Sequence, residues 1–242
     1  MSTIEIKNLT KTYGGGKVAV SNLSLDVCPG DIYGFIGHNG AGKTTTIKCV
    51  VGIQKYNEGD IFIDGISIKE EPIRCKRMMA YIPDNPDVYD YLTGIQYLNF
   101  IADIFGLSAE EREERIRKEA SDFEVTEALG DLISSYSHGM KQKLAIIGAL
   151  IHRPSLLILD EPFVGLDPKA ALTLKNKMRQ MCSEGTAIFF STHVLDVAEK
   201  LCNKVAIIKK GVLIASGPIE ELTKGESLES VFMEVVSGAY TD

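Results

Sequence analysis

The stretch that most constrains this chain runs from Ile32 to Thr45, IYGFIGHNGAGKTT. A short apolar run ends in Gly37-His38-Asn39-Gly40-Ala41-Gly42-Lys43-Thr44, and a helical pattern follows. The spacing is G-x-x-x-x-G-K-[ST], in the strand–loop–helix context that gives the pattern its meaning. Glycines at Gly37, Gly40 and Gly42 let backbone N–H groups, with Asn39 and Ala41 between them, wrap a β-phosphate. The helix end adds its positive pole. Lys43 is placed to reach β- and γ-phosphates, Thr44 to offer a hydroxyl to Mg²⁺, and Thr45 to reach an α-phosphate. A plain glycine-rich turn would not require the lysine and threonines at this spacing.

A second candidate lies in Leu156–Pro162, LLILDEP. Asp160 closes an apolar strand, where a parallel sheet displays residues that face ligands, and can hold Mg²⁺ through water. Glu161 can take a proton from an attacking water. On residue type alone the pair also reads as an acidic helix cap before Pro162. Two weaker features are Ser191-Thr192-His193 after the strand AIFF, and Tyr13 before a glycine turn. A lone histidine reads as structural and Tyr13 as a surface aromatic, although such a plane can also stack on adenine.

The stretch SYSHGMKQKLAIIGALI, Ser135 to Ile151, raises a different question. Met140, Leu144, Ile147 and Ile151 recur at helical spacing, so a buried helix is predicted from near Gly139. Ser137 can cap it, and Gly139 allows a close backbone approach. These are the marks of a second anion-binding helix start, far in sequence from Lys43.

Residues 4–36 read as short strands, and the alternation of Ile4 with Ile6 and of Leu23, Leu25 and Val27 predicts half-buried antiparallel strands. GDIFIDGISI is a hairpin turning at Asp64-Gly65. From Thr93 to Leu132 the text is helical and charged, with Ser108 as a cap. From Leu156 onward, continuous apolar runs alternate with helices, as in a parallel sheet covered on both faces.

With 242 residues and a net charge of −7, the chain is expected to bind no nucleic acid as its main partner. It contains no apolar run approaching the roughly 18–20 residues of a membrane span. Its start lacks the apolar segment of a signal peptide, so a cytosolic chain is expected. Five scattered cysteines, with no Cys-x-x-Cys pair, are expected to be reduced.

The order of Tyr13, the Gly37–Thr45 loop, YIPD, YSHGM, LLILDEP, GLD and STH resembles the nucleotide-binding subunit of ABC transporters, across nearly the whole chain. The resemblance implies an α/β fold: a P-loop NTPase core with a mixed sheet, an antiparallel β lobe and an inserted helical subdomain. It implies one such domain over residues 1–242, with the helical part at about 85–150. It also implies ATP and Mg²⁺ as cofactors. ATP would be bound by Tyr13, Gly37, Asn39, Gly40, Ala41, Gly42, Lys43, Thr44 and Thr45, with Ser137 and Gly139 acting on ATP held by a second ATPase subunit. Glu161, His193 and Asp84 would be catalytic, and Thr44, Asp84 and Asp160 metal-binding. The family's usual signature is Leu-Ser-Gly-Gly-Gln; Tyr136-Ser137-His138-Gly139-Met140 stands here, and Asp84 replaces a glutamine. The resemblance places the chain on the cytoplasmic face of the cell membrane as a peripheral subunit of a membrane-spanning permease. Its pattern is most like the ATPases of bacterial drug, peptide or ion exporters, with a tail that leaves no room for a regulatory domain. A soluble relative, in an assembly process such as iron–sulfur cluster biogenesis, is the alternative.

Overall fold

A computed structural model describes residues 2–86 and 88–237. It contains two sheets. In the first, β1 (Ile4–Thr12), β2 (Val18–Val27), β4 (Glu58–Ile63) and β5 (Ile66–Ser67) lie in the order β2-β1-β4-β5. Every pairing is antiparallel. Alternation explains this lobe: Ile4 and Ile6 are buried, and so are Leu23, Leu25 and Val27. The β4–β5 turn is Asp64-Gly65, with both residues at positive φ (47° and 76°), as a tight hairpin of matching twist requires.

The second sheet has the order β10-β9-β3-β8-β7-β6. It comprises β3 (Ile32–Ile36), β6 (Met79–Ile82), β7 (Leu156–Asp160), β8 (Ala187–Thr192), β9 (Lys204–Lys209) and β10 (Val212–Pro218). All its pairings are parallel except the β9–β10 edge. Every residue of β3, β7 and β8 is buried, which is why their sequences do not alternate. The third strand predicted within residues 4–36 thus leaves the antiparallel lobe and takes a central place in the parallel sheet. Strand β6 was not anticipated as a strand at all.

The helices are α1 (Lys43–Val50), α2 (Pro72–Met78), α3 (Gly94–Ile104), α4 (Ala109–Asp122), α5 (His138–Leu150), α6 (Pro168–Ser183), α7 (Leu195–Leu201), α8 (Ile219–Thr223) and α9 (Leu228–Ser237). Ser108 caps α4 in a reciprocal box with Glu111, as the sequence predicts. The parallel sheet separates two apolar clusters. Leu157 and Leu159 face one, with α5 and α6; Leu156 and Ile158 face the other, with α1 and the β lobe. The five cysteines are all free thiols.

Gly59 shows how tightly the lobe is registered. It lies at φ +90°, and a Cβ there would stand 2.4 Å from the Lys7 carbonyl and 2.6 Å from that of Asn8. The β1–β4 register slips between Lys7 and Thr10 at this point, with Asn8 also at positive φ. Gly59→Ala is expected to cost about 2 kcal/mol or more of unfolding free energy, through strain and backbone clash together. Urea denaturation measures it; a loss below about 0.5 kcal/mol would show that the lobe gives way easily.

Candidate functional site

Parallel pairing brings the chemistry together. Ile36 lies level with Thr192, and Asp160 with Ser191, so β3, β7 and β8 end side by side. Everything just beyond those ends shares one crevice, the usual ligand position in such a sheet. The loop after β3 keeps close to its surroundings. A Cβ on Gly37 would stand 2.6 Å from the Ile208 carbonyl, and one on Gly42 2.5 Å from that of Ala19. Gly42, at φ +113°, precedes α1 and supplies no side-chain cap. The first amides of α1 therefore have no side-chain oxygen of the cap residue on them.

Lys43 is buried at 6% exposure. Its ammonium donates to the Gly37 carbonyl at 2.7 Å and lies 3.4 Å from a Glu161 carboxylate oxygen. The other Glu161 oxygen is 3.0 Å from His193 Nδ1 and accepts from the His193 amide at 3.4 Å. Glu161 itself sits at φ +49°. Its amide donates to Ser191, at 3.2 Å to the carbonyl and 3.1 Å to the hydroxyl. A left-handed non-glycine residue held by its neighbours is a common mark of a functional turn.

Asp160 is 1% exposed. The Ser191 hydroxyl donates to its Oδ1, while Oδ2 is buried with no hydrogen-bond partner among the described residues. An unsatisfied buried carboxylate oxygen is costly, and a hard cation would satisfy it. Thr44 and the Asp160–Glu161 turn adjoin the same crevice, and a few oxygen donors suit Mg²⁺, which retains several of its waters. These residues fit the ion.

The cleft holds about 470 Å³ and is lined by Tyr13, the Asn39–Thr45 loop, Asp84, Glu161 and Lys210, among others. Tyr13 stands at its edge with its hydroxyl 3.4 Å from that of Thr45 and its ring under the Lys11 ammonium. Asp84 is solvent-exposed, yet partial burial, then the charges of Asp160 and Glu161, raise its carboxyl above the ordinary range.

Structure thus gathers Tyr13, the Gly37–Thr45 loop, Asp84, Asp160, Glu161 and His193 at one place. Ser137 and Gly139 do not line that cleft. Ser137 caps α5, accepting from the Met140 amide at 3.3 Å. Gly139 packs on the Gly165 carbonyl, 3.0 Å from where its Cβ would be, and the His138 ring lies over Gly165. Lys210, in a Lys-Gly turn after β9, is an addition to the residues picked out by sequence. Ser191 stands out in sequence only as part of Ser191-Thr192-His193; its role beside Asp160 follows from a register that no local pattern contains.

Residues 20–164 match the model of the ABC transporter family. The chain belongs to that family. It is 35% identical over 240 residues to the ABC-type transporter ATP-binding protein EcsA of Bacillus subtilis (strain 168), covering 97% of each. It is 32% identical to the linearmycin resistance ATP-binding protein LnrL of the same organism, covering 97% of this chain and 75% of that one. A solved ATP-binding subunit of an ABC transporter superposes with a TM-score of 0.93 at 34% identity, covering 97% of this chain and all of that one. The chain is therefore an ABC-type ATPase, and the crevice is the candidate for its nucleotide site. Among its described residues no helix is long and apolar enough to cross a membrane.

The raised Asp84 carboxyl gives a signed prediction. The folded ATPase holds a proton there that the unfolded chain releases, so Asp84 lowers stability as pH rises from about 4 through its raised value. Asp84→Gln should remove that part of the slope, read from urea midpoints as pH rises from about 4. It should also leave ATP turnover equal or higher, because one negative charge near the phosphates is gone. Turnover lost as completely as in Glu161→Gln would instead make Asp84 a required carboxylate.

Proposed function

We propose that this ABC ATPase powers export through a separate membrane-spanning permease, hydrolysing MgATP at two composite sites of a head-to-tail pair. One observation carries the reading. The cleft holds phosphate-binding, metal-fitting and basic groups from its own chain, but its lining lacks Ser137 and Gly139. Those two sit at a separate capped helix start whose chemistry also suits phosphate. Two copies related by a two-fold axis would each lend that start to the other's nucleotide.

In this reading Tyr13 stacks on the adenine and the Gly37–Thr45 loop wraps the phosphates. Lys43 exchanges its Gly37 and Glu161 contacts for the β- and γ-phosphates. That exchange frees Glu161 to accept a proton from the attacking water, while His193 keeps its carboxylate oriented. Thr44 and Asp160 would hold Mg²⁺, with Asp84 nearby, and the ion would supply charge neutralisation to the phosphates. The name of LnrL, a resistance protein, favours export. The permease reading draws on the helical insert, where Tyr89, Tyr91, Phe100 and Ile104 stay exposed and Tyr89 packs 5.7 Å from Phe100. Clustered exposed aromatics suit a protein partner. Such a subunit works peripherally at the cytoplasmic face of the membrane.

Glu161→Gln should bind ATP, hydrolyse it at least about 100-fold more slowly, and elute as an ATP-dependent dimer in size-exclusion chromatography. A monomer in saturating MgATP would argue against the closed pair. Lys43→Ala and Ser137→Arg should each be inactive, for lesions on opposite halves of one site. In the Glu161→Gln background, mixing the two chains leaves one intact composite site per mixed pair, so ATP should trap the mixture as a dimer. With both chains folded and the Ser137→Arg chain still binding ATP, failure to trap would sink the cross-subunit role of Ser137.

A further inference from the structure

Strand β6 carries a buried polar group that the reading above leaves without a task. Tyr81 pairs with Ile158 of β7. Both belong to the side of the sheet that faces α1 and the β lobe. Asp160 follows Ile158 by two residues and so projects from that same face, diagonal to Tyr81. The Tyr81 hydroxyl is buried and has no hydrogen-bond partner among the described residues. Asp160 Oδ2, also buried, has none either. The two groups thus share one face, close enough for the Asp160 charge to act on the phenol, and no hydrogen bond joins them.

Burial, then the charge of Asp160 and after it that of Asp84, push the phenol well above its ordinary range. It remains protonated, a donor as well as an acceptor. A buried phenol hydroxyl with no hydrogen-bond partner costs stability, because its desolvation is not offset. A plain core position would be filled as well by phenylalanine. The hydroxyl is explained if a polar group enters between it and Asp160 when the site is loaded.

We propose that Tyr81 is a positioning residue for the divalent cation, its hydroxyl bonding to the water shell of the ion held beside Asp160. This rests on the Mg²⁺ reading of Thr44 and Asp160. It assigns Tyr81 to the ion, not to the nucleotide, since the residue does not line the cleft around Tyr13 and Lys43. Groups that orient the surroundings of a bound metal usually matter by 10- to 100-fold in its affinity.

The test uses the whole chain, Mn²⁺ as probe by electron paramagnetic resonance, and a non-hydrolysable ATP analogue. Tyr81→Phe is expected to weaken Mn²⁺ binding to the nucleotide complex by about 10-fold or more. Affinity for the analogue without metal should stay as in the wild type. Without nucleotide, the Tm of the variant should hold or rise by about 2–4 °C, as loss of an unsatisfied hydroxyl predicts. Mn²⁺ affinity within two-fold of wild type overturns the proposal. So does a matching fall in metal-free affinity, or a nucleotide-free protein that melts several degrees lower or fails to fold, since the hydroxyl would then have a structural partner. Asp160→Asn separates this from the reading beneath it: if that variant binds Mn²⁺ like the wild type, the cation site itself is misplaced.

Discussion

One buried ammonium sets the terms for the candidate site. Lys43 is almost inaccessible, and a charge so placed is stable only with close, well-directed partners. Its two nearest are the Gly37 carbonyl and the Glu161 carboxylate, with the His38 carbonyl at 3.5 Å. Each of the two nearest imposes a demand on the fold. The first needs a loop that curls back on its own start, with no side chain at Gly37 to meet Ile208. The second needs β7 to end within reach of the helix after β3, although β8 lies between them in the sheet. In the proposed reading a γ-phosphate would compete with Glu161 for this ammonium, and the carboxylate so displaced would be the one placed to act as base.

The sheet makes such an arrangement affordable. Its central strands are buried on both faces, and successive residues serve different cores: Leu157 and Leu159 one, Leu156 and Ile158 the other. Slipping β7 by one residue would send Asp160 to the side opposite Lys43 and bury wrong side chains throughout. Apolar packing therefore fixes the polar register. The Glu161 backbone adds the last turn: its positive φ directs the carboxylate between Lys43 and His193, and the two hydrogen bonds to Ser191 hold that conformation.

What could be read from sequence was what short-range chemistry determines. The glycine spacing before Lys43, the Asp64-Gly65 turn, and the Ser108 and Ser137 caps each depend on a few neighbouring residues, and the structure has all of them. Strand β6 escaped because Met79–Ile82 is four residues long and lies directly after a helix, with no period to distinguish it. The place of β3 between β8 and β9 escaped for a different reason. Those partners lie more than 150 residues away in the chain, and nothing in IYGFI names them. Tyr81 belongs to the same class: its hydroxyl is informative only once Asp160 is known to share its face. On residue type alone His193 reads as an ordinary structural histidine; the structure sets Glu161 3.0 Å from its ring.

Ser137 and Glu161 are in separate places, yet the fold ties them mechanically. Gly139 packs against the Gly165 carbonyl, and the His138 ring covers the same glycine. One turn further along α5, Lys143 reaches Asp167 at 2.7 Å. Asp167 in turn caps α6 through the Ala170 amide, and Lys143 and that amide hold its carboxyl below the usual range. Between them, the Val164 amide closes a turn on the Glu161 carbonyl. The start of α5 and the segment from Glu161 to Asp167 therefore meet through backbone, ring and ion-pair contacts with no flexible spacer. Gly139 and Gly165 have to be bare for that contact to form, and a displaced Ser137 would carry the segment with it. In the proposed pair, a γ-phosphate held by one subunit would pull on the other's Ser137, and the strain would arrive at that second subunit's own Glu161. Coupling between the two ATP sites would then need no separate relay, because the helix start that grips one nucleotide is packed on the turn that attacks the other.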